Sequence, residues 1–407
     1  MTEATQVLPS GTSQAKLVSG VCLAHLVSHF NMVLLAPLFV FIRADYGVSY
    51  TELGLALTMF ATVSVLLQTP VGFLVDRVDA RLCLIGGLLL GSCAIAAAAL
   101  IHSYWAFIAA YALLGLANTV FHPADYALLS ENVAPERLTQ AFSYHSCAGM
   151  VGSAIAPFTV IYLQGLYGWR GAYLGAAVFG VIAALVLIAQ RDPLPPRRPP
   201  AARADAPAPV TTTSEGWRLL LSAPILLNLA FFLLMSMASG GLNQFLVVGL
   251  AALHQTPVSV SNTALTGLLA MSAIGVLFGG MVAGRTSQHV LVAASGLMVT
   301  GAVSAFIGLA DPGAVLLVAV ISLAGFASGI TYPSRDMIVR SVTPAGSFGK
   351  VFAFVTTGFH LGGMVAPLIF GQFLDHGRPQ WVFFYTAACA LIAVGTVLFG
   401  MAGRRTA

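Results

Sequence analysis

Charged side chains are scarce in this sequence. They make up 8% of its 407 residues, whereas hydrophobic residues make up 58%. About a quarter of the residues of a soluble domain are charged. No charged stretch of mixed composition reaches the length of about 50 residues that a globular domain needs. The composition therefore excludes a soluble protein and a soluble enzyme on a membrane anchor, and it predicts a protein embedded in a lipid bilayer.

Motifs of several common protein classes are also lacking. No G-x-x-x-x-G-K-[ST] loop occurs, which excludes ATP hydrolysis as an energy source. The basic residues are scattered through short loops, which excludes nucleic-acid binding. The cysteines stand singly in apolar segments without ligand spacing, so neither disulfides nor a zinc site is predicted. We therefore expect no enzymatic activity, no cofactor and no resident metal. The five cysteines are Cys22, Cys83, Cys93, Cys147 and Cys389.

Long apolar runs, bounded by charges, Pro and Gly, recur along the chain. One bilayer crossing takes about 20 apolar residues plus a short turn, so twelve crossings fit this length. The first run is long enough to span the bilayer, and we expect it to be retained as a helix rather than cleaved as a signal. The predicted spans are 17–42, 52–75, 82–101, 104–130, 139–163, 170–190, 219–248, 258–283, 289–310, 313–339, 350–374 and 380–402.

The distribution of Lys and Arg predicts the orientation of these spans. Basic residues beside membrane spans stay in the cytoplasm. With the N-terminus inside, fourteen of the eighteen basic residues are cytoplasmic; Arg43, Arg170 and Arg378 lie outside, and Arg335 lies within a span. A miscounted span would destroy this asymmetry. We therefore predict a multi-pass protein of the inner (plasma) membrane with both termini in the cytoplasm.

The chain divides into two halves around a Pro-rich, Arg-rich segment that has too few large apolar residues to build a core. An offset of 210 residues relates the halves, because several Gly and Pro residues of the first half recur in the second. Halves of equal orientation are the parallel repeats of membrane transporters. The matched pairs are Gly115 and Gly325, Pro123 and Pro333, and Pro157 and Pro367. The predicted organisation is a cytoplasmic tail (1–16), a six-helix bundle (17–190), a cytoplasmic linker (191–218) and a second six-helix bundle (219–403).

The loop between spans 2 and 3 reads GFLVDRVDAR and resembles the loop motif of the major facilitator superfamily. Gly72, Asp76, Arg77 and Arg81 match that motif, whereas residues 79–80 depart from it. The resemblance implies that Gly72 lets helices approach each other and that the charged residues latch the cytoplasmic face. It further implies an all-α membrane protein of twelve transmembrane helices in two six-helix parallel repeats, a central cavity lined chiefly by spans 1, 4, 7 and 10, and alternating access.

The end of span 4 carries a second part of the resemblance. Glu131 and Pro135 resemble the Glu and Pro that end span 4 in drug-exporting members, and we assign Glu131 and the nearby Arg137 to the same latch. Tyr111 replaces the Arg that those members use in span 4. The runs VFHPADYALLS and AFSYHSCAGMVGSAIAP look most like the fosmidomycin-resistance branch.

Three charged residues lie inside predicted spans, away from the helix ends. They are Asp125, Arg335 and Asp336. A charge at the bilayer centre costs about 2.5 to 3.5 kcal/mol on insertion scales, so each is a candidate functional residue. The repeat puts Asp125 and Arg335 at equal depth in opposite halves. They are predicted to form a charge pair that closes the inner gate, or a proton-sensitive Asp and an anion-binding Arg; a purely structural pair within one half is the alternative.

Five of the nine histidines lie in predicted spans. They are His25, His29, His122, His145 and His360. Imidazole titrates near neutral pH, which suits a proton relay or pH-dependent substrate binding. Each could instead bond a backbone carbonyl freed by a nearby Pro or Gly. We favour a functional role for His122 with Asp125, which share a helix face.

Other polar residues are candidates for the substrate path. Asn243 and Gln244 stand beside Gly240 and Gly241, where we expect a polar break in span 7 that lines the outer half of the path. Tyr144 and Tyr332 are candidates to orient substrate, although aromatics in spans more often serve packing or interface anchoring.

The pattern as a whole predicts a monomeric secondary transporter, whose partners are a small-molecule substrate and protons. We expect proton-coupled export of small amphipathic or drug-like molecules. A proton symporter that imports a small organic anion is the alternative. A metal or metalloid transporter and a non-transporting sensor are less favoured, because the histidines lack a ligand cluster in sequence and the chain lacks a signalling domain.

Overall fold

The computed structural model describes residues 11–190, 218–344 and 347–405, and in these ranges the regular structure is helical. The first ten residues of the predicted tail, and 191–217 of the predicted linker, lie outside the described residues. The helices are α1 (Gly11–Val33), a 3-10 turn (Ala36–Leu38), α2 (Phe39–Tyr46), α3 (Tyr50–Arg77), α4 (Ala80–Leu100), α5 (Tyr104–Asn132), α6 (Pro135–Ala189), α7 (Ala223–His254), α8 (Val258–Ala283), α9 (His289–Leu309), α10 (Ala314–Val342), α11 (Phe348–Asp375) and α12 (Gln380–Arg405).

Twelve membrane spans account for these helices, which confirms the predicted fold class. Eleven helical segments of the described chain are long and apolar enough to cross a bilayer. One of them, α6, has 55 residues and contains Gly168 in a left-handed conformation with φ of 69°. A left-handed residue interrupts an α-helix, and glycine adopts this conformation without steric cost. Spans 5 and 6 are therefore the two arms of α6, on either side of Gly168.

The first span is less regular than the sequence predicts. Its helix stops at Val33, passes through the 3-10 turn and resumes as α2. Pro37 lies within that turn, and proline disfavours helical geometry in the residue before it and removes a backbone donor. The break lies inside the bundle, because Ala36, Pro37 and Leu38 are all buried.

The two halves repeat the same helix packing. In the N-terminal half α1 packs on α6, and α5 packs on both α3 and α4; in the C-terminal half α7 packs on α11, and α10 packs on both α8 and α9. Gly115 of α5 lies against the backbone of Phe60, and Gly325 of α10 lies against the backbone of Leu268. A Cβ atom at either glycine would overlap the neighbouring carbonyl oxygen. The 210-residue offset therefore matches residues that make equivalent backbone contacts.

The predicted break in span 7 is wrong. Helix α7 is continuous from Ala223 to His254 and includes Gly240 and Gly241. A Cβ at Gly241 would collide with Thr386 of α12 and with the ring of Phe370 of α11. The glycine therefore serves the close packing of three helices and does not interrupt one of them.

The two halves are joined at one end of the bundle, which we call the closed end. There, Asp375 at the end of α11 accepts hydrogen bonds from the backbone N–H groups of Tyr50 and Thr51 at 2.7 and 2.9 Å. The Thr51 hydroxyl donates to the same carboxylate at 2.6 Å. Among the described residues, further hydrogen bonds between the halves lie on the same side, from Thr58 to Met364 O and from Gln244 to Met32 O. The opposite end, which carries the 77–80 loop, is called the open end.

Candidate functional site in the N-terminal half

A buried carboxylate forms the centre of the candidate site. Asp125 of α5 has no solvent-accessible surface. Its Oδ2 atom is hydrogen-bonded to His145 Nε2 at 2.9 Å and lies 3.3 Å from His25 Nδ1. Its Oδ1 atom has no hydrogen-bond partner among the described residues. An ionised carboxylate is costly to bury unless it is fully paired. Gain or loss of a proton by Asp125 therefore strongly changes the free energy of this conformation.

Four histidines surround this carboxylate. His25 and His145 are stacked, with ring centroids 3.7 Å apart. The centroids of His29 and His122 lie 4.6 and 5.1 Å from that of His25. His29 also has Nδ1 at 3.3 Å from the hydroxyl of Ser153 on α6. The structure thus brings together four of the five predicted intramembrane histidines, from α1, α5 and α6.

Small residues allow α1 and α6 to come close enough for this arrangement. A Cβ at Gly149 would lie 2.7 Å from the His25 ring, and one at Gly152 would overlap the carbonyl oxygen of Leu26. Glycines at these two positions therefore let His25 reach both His145 and Asp125. The small residues of the GMVGSAIAP run therefore bring α1 against the site.

A larger side chain at Gly152 should consequently disrupt the site. We expect Gly152→Val to lower the thermal unfolding temperature in detergent and to abolish transport, because overpacking costs about 1 to 3 kcal/mol and the overlapped atom belongs to the backbone. The matched control is Gly165→Ala on the same helix, where a Cβ meets nothing within 4 Å. Equal unfolding temperatures for the two variants would contradict the close-packing argument.

One side of the cluster faces the space between the halves. His122 and Tyr126 are exposed, although both lie within the fourth span, in the second half of α5. Their ring centroids are 5.8 Å apart, and Tyr126 is 5.6 Å from His145. His360 of α11, in the other half, lies within Coulombic range of His122. His122 therefore connects the buried carboxylate with a face that a substrate can reach.

The cluster also satisfies a distance criterion for a metal site. One ligand atom from each of His25, His122 and His145 lies within 4.8 Å of the others. However, two of the rings are stacked, and both direct a nitrogen at the same carboxylate oxygen. In a metal site the ligands instead approach the ion from different directions, and a histidine nitrogen lies about 2.0 to 2.1 Å from a zinc ion. The geometry suits a shared proton better than a metal ion.

Arg335 occupies a different environment in the C-terminal half. Its guanidinium bonds the adjacent Asp336 carboxylate, with Nε and Nη2 at 2.9 and 2.8 Å from Oδ1. It also lies over the rings of Phe232 and Tyr332, at 4.5 and 4.9 Å from their centroids. In this conformation Asp125 and Arg335 therefore belong to separate charge clusters. A gate formed by this pair stays a prediction for the conformation in which the open end closes.

The remaining predicted substrate contacts lie in both halves. Asn243 and Tyr332 line the same small cavity of about 40 Å³ in the C-terminal half. Gln244 is half-buried and donates its side-chain amide to Met32 O across the halves at 3.3 Å. Tyr144 is 54% exposed near the open end and accepts a hydrogen bond from Gln140. The structure does not bring these residues and the histidine cluster together into one site.

The predicted latch residues lie at the open end. Arg81 donates from its guanidinium to Leu187 O at 2.8 and 3.2 Å, which ties the start of α4 to the end of α6. Asp79, which departs from the family motif, caps α4 by accepting from the backbone of Arg81 and Leu82. A Cβ at Gly72 would meet nothing within 4 Å, so this glycine makes no close helix contact in this conformation. The other latch candidates Asp76, Arg77, Glu131 and Arg137 lie at or near the same end of the bundle.

Two features of the site escaped sequence reasoning. His145 is the hydrogen-bond partner of Asp125, but the two are 20 residues apart and on different helices, so no local pattern links them. Tyr126, which is not among the predicted site residues, contributes to the exposed side of the cluster. The sequence feature that could have identified Tyr126 is its position next to Asp125 in a predicted span.

Comparison with known proteins agrees with this architecture. A family model described as the Major Facilitator Superfamily matches residues 21–309 and, in a second match, 237–406. The chain is similar to the fosmidomycin resistance protein of Escherichia coli (strain K12), with 21% identity over 94% of this chain and 92% of the relative. It is 25% identical to the multi-drug resistance efflux pump PmrA of Streptococcus pneumoniae, over 83% of this chain and 82% of the pump.

Two further similarities extend the range of relatives. A probable L-galactonate transporter of Escherichia coli (strain K12) is 25% identical over 35% of this chain, and the match spans only 32% of that relative. Among solved structures, a bacterial homologue of the human lysosomal transporter Spinster, in an inward-facing and unoccupied conformation, superposes with a TM-score of 0.77 at 14% identity. This superposition covers 97% of this chain and 96% of that one.

Proposed function

The chain belongs to the major facilitator superfamily, and from this membership we propose that it is a proton-coupled secondary transporter that exports small amphipathic or drug-like molecules by alternating access. The observation that carries the proposal is the buried Asp125 carboxylate, flanked by His145 and His25 and connected through His122 to the space between the halves. Two relatives, a resistance protein and an efflux pump by name, support export as the direction.

The proposed cycle uses the charge of this cluster. A proton that enters from the outside neutralises Asp125, and loss of that proton to the cytoplasm leaves a buried carboxylate that His145 and His25 must stabilise. Because desolvation acts strongly on the charged form, proton transfer changes the relative free energies of the two conformations. The titratable groups that adjoin Asp125 or its neighbouring side chains are His25, His29 and Cys22 on α1, His122 and Tyr126 on α5, His145 and Cys147 on α6, and His360 on α11.

The orientation and setting belong to the same proposal. The protein is a monomer of the plasma membrane in this proposal. The positive-inside pattern supports the placement of both termini and the open end in the cytoplasm. The structure would then be inward-facing, with its external side shut by the contacts of Asp375 with α3. Substrate would enter from the cytoplasm between the halves, past His122 and Tyr126.

Import of a small organic anion by proton symport is the second candidate. It is favoured by the partial similarity to a probable L-galactonate transporter and by Arg335, a half-buried cation within a span. In this case Arg335 would bind the anion after release from Asp336.

Transport into proteoliposomes with an imposed pH gradient tests both candidates. We expect accumulation of exported compounds inside vesicles with an acidic lumen, when the cytoplasmic side faces outward, and loss of accumulation on addition of a protonophore. A dye-reported proton efflux from the lumen should accompany substrate entry. The compound panel should include matched cations, neutral compounds and anions. Accumulation at full rate without a gradient would rule out proton coupling, and accumulation only when substrate and protons move together would favour the symporter.

A further inference from the structure

A cleft at the open end separates α1 from the first arm of α6. The two helices touch at Gly149 and Gly152, and residues of both helices nearer the open end line a common cavity. The space between them is a cavity of about 390 Å³, which falls within the size range of small-molecule pockets. We call it the α1–α6 cleft. The lining residues used below are Val18, Cys22, Arg137, Gln140, Ala141 and Tyr144.

The chemistry of this cleft changes along its length. Val18 and Ala141 contribute to a largely apolar wall. Arg137 is exposed, and it carries the only formal charge among the described lining residues. Gln140 donates to the Tyr144 hydroxyl at 2.8 Å, which fixes a polar pair on one wall. A pocket of this kind suits a ligand with an apolar body and one anionic group.

The inner end of the cleft adjoins the candidate proton site. Cys22 lies one helical turn before His25, and Tyr144 directly precedes His145. His25 Nδ1 in turn lies 3.3 Å from the Asp125 carboxylate. An anionic group is disfavoured at this end, because the carboxylate would repel it. The positive charge of Arg137 and the carboxylate of Asp125 therefore favour one ligand orientation, with the anionic group at Arg137 and the apolar end toward Cys22.

We propose that the α1–α6 cleft binds an amphipathic organic monoanion, with its charged group at Arg137 and its apolar body along Val18 and Ala141 toward Cys22. Binding to the cleft stands on its geometry alone. That the occupant is the transported compound rests on the proposed function, and would place the substrate's apolar end beside the coupling carboxylate.

Native Cys22 provides the test, because it reports on the inner end of the cleft. In a chain that keeps Cys22 and has serine at the other four cysteines, reconstituted in nanodiscs, the rate of maleimide labelling is measured with three probes. The probes share one apolar body and differ in charge: 4-butylbenzoate, 4-butylbenzamide and 4-butylbenzylamine. We expect 4-butylbenzoate to slow labelling of Cys22 at the lowest concentration of the three probes, and 4-butylbenzylamine to need the highest concentration for the same effect. A cysteine at Thr139, which is exposed on α6 but does not line the cleft, is the matched control and should show no protection.

Variants of Arg137 and Ala141 separate charge from shape. Arg137→Gln should raise the half-protecting concentration of benzoate about threefold to fivefold, as expected for an exposed ion pair, and leave that of the amide unchanged. Arg137→Lys should keep most of the benzoate preference. Ala141→Phe should fill the cleft and remove protection by all three probes, while its thermal unfolding reports whether the variant is folded.

Several results would overturn the proposal. Equal protection by benzoate and benzamide, stronger protection by the amine, or free labelling of Cys22 at every probe concentration would each rule out an anion site. Loss of this site with intact gradient-driven transport leaves the proposed function standing. Conversely, protection by benzoate together with gradient-independent transport would rule out proton coupling and would leave anion binding in the α1–α6 cleft supported.

Discussion

Replacement of Asp125 by Asn should abolish the accumulation of substrate that a pH gradient drives, while substrate exchange without a gradient continues. A proton moving down a gradient of one pH unit supplies about 1.4 kcal/mol, which corresponds to about tenfold accumulation per coupled proton. Asn resembles the protonated carboxyl in shape and charge but cannot release a proton. The variant should therefore lose this tenfold factor and retain conformational exchange.

The measurement compares accumulation with counterflow in the same proteoliposomes. Asp311→Asn is the matched control, because Asp311 lies in an exposed loop where its side chain accepts a hydrogen bond from Gly313 N, which an amide oxygen can also accept. His145→Gln should give an intermediate loss, since the Gln amide can still donate to the Asp125 carboxylate and His25 stays nearby, but Gln cannot take up or release a proton. Unaltered accumulation by Asp125→Asn would show that another group carries the proton, whereas loss of both accumulation and counterflow would indicate a structural role.

The histidine cluster illustrates what the sequence could and could not predict. Helical spacing identified His25 with His29, and His122 with Asp125, because residues three or four apart share a face of one helix. The contact of Asp125 with His145 depends on how far α5 is rotated about its own axis, and on the close approach of α1 and α6 at Gly149 and Gly152. Such packing depends on the side chains of three helices at once, and local periodicity does not determine it.

The relation between Asp125 and Arg335 has the same limit. An offset of 210 residues gave them equal depth, and the equivalent contacts of Gly115 and Gly325 agree with that. Equal depth does not determine where a side chain points. Asp125 is fully buried among helices of its own half, whereas Arg335 lies against Phe232 and Tyr332. Equivalent positions in a repeat can therefore carry side chains with different partners, since the residues around them differ.

The same reasoning explains the closed end, which the sequence did not reveal. Asp375 and the start of α3 are more than 300 residues apart, and each resembles an ordinary loop boundary. Their contact nevertheless joins a carboxylate to the N-terminus of a helix, where unsatisfied N–H groups and the helix dipole favour a negative charge. An intrahelical cap already occurs there, since Ser49 and Glu52 form a capping box. Asp375 therefore adds an acceptor from the other half to a helix start that is stable by itself.

We accordingly predict that Asp375→Ala will open the closed end without unfolding the protein. The variant loses three hydrogen bonds to a charged acceptor, from Tyr50 N, Thr51 N and the Thr51 hydroxyl. Because the carboxylate is exposed, we discount their combined contribution to about 1.4 kcal/mol, which corresponds to a tenfold fall in the population of the closed-end contact. Thr51→Val removes only the hydroxyl donor and should give a smaller shift in the same direction.

Distances between spin labels can follow this change. Cysteines at His102 and Asp311, in a chain without its native cysteines, place one label in each half on exposed loops at the closed end. In Asp375→Ala the distance distribution should gain a longer component, and transport should slow because the shut external state is less populated. The matched control is Asp45→Asn, which breaks an ion pair with Arg170 at the same end but within one half, so its distribution should equal that of the parent. Identical distributions for Asp375→Ala and Asp45→Asn would mean that the α3–α11 contact does not hold the halves together, and that apolar packing such as Phe39 against Phe245 closes this end instead.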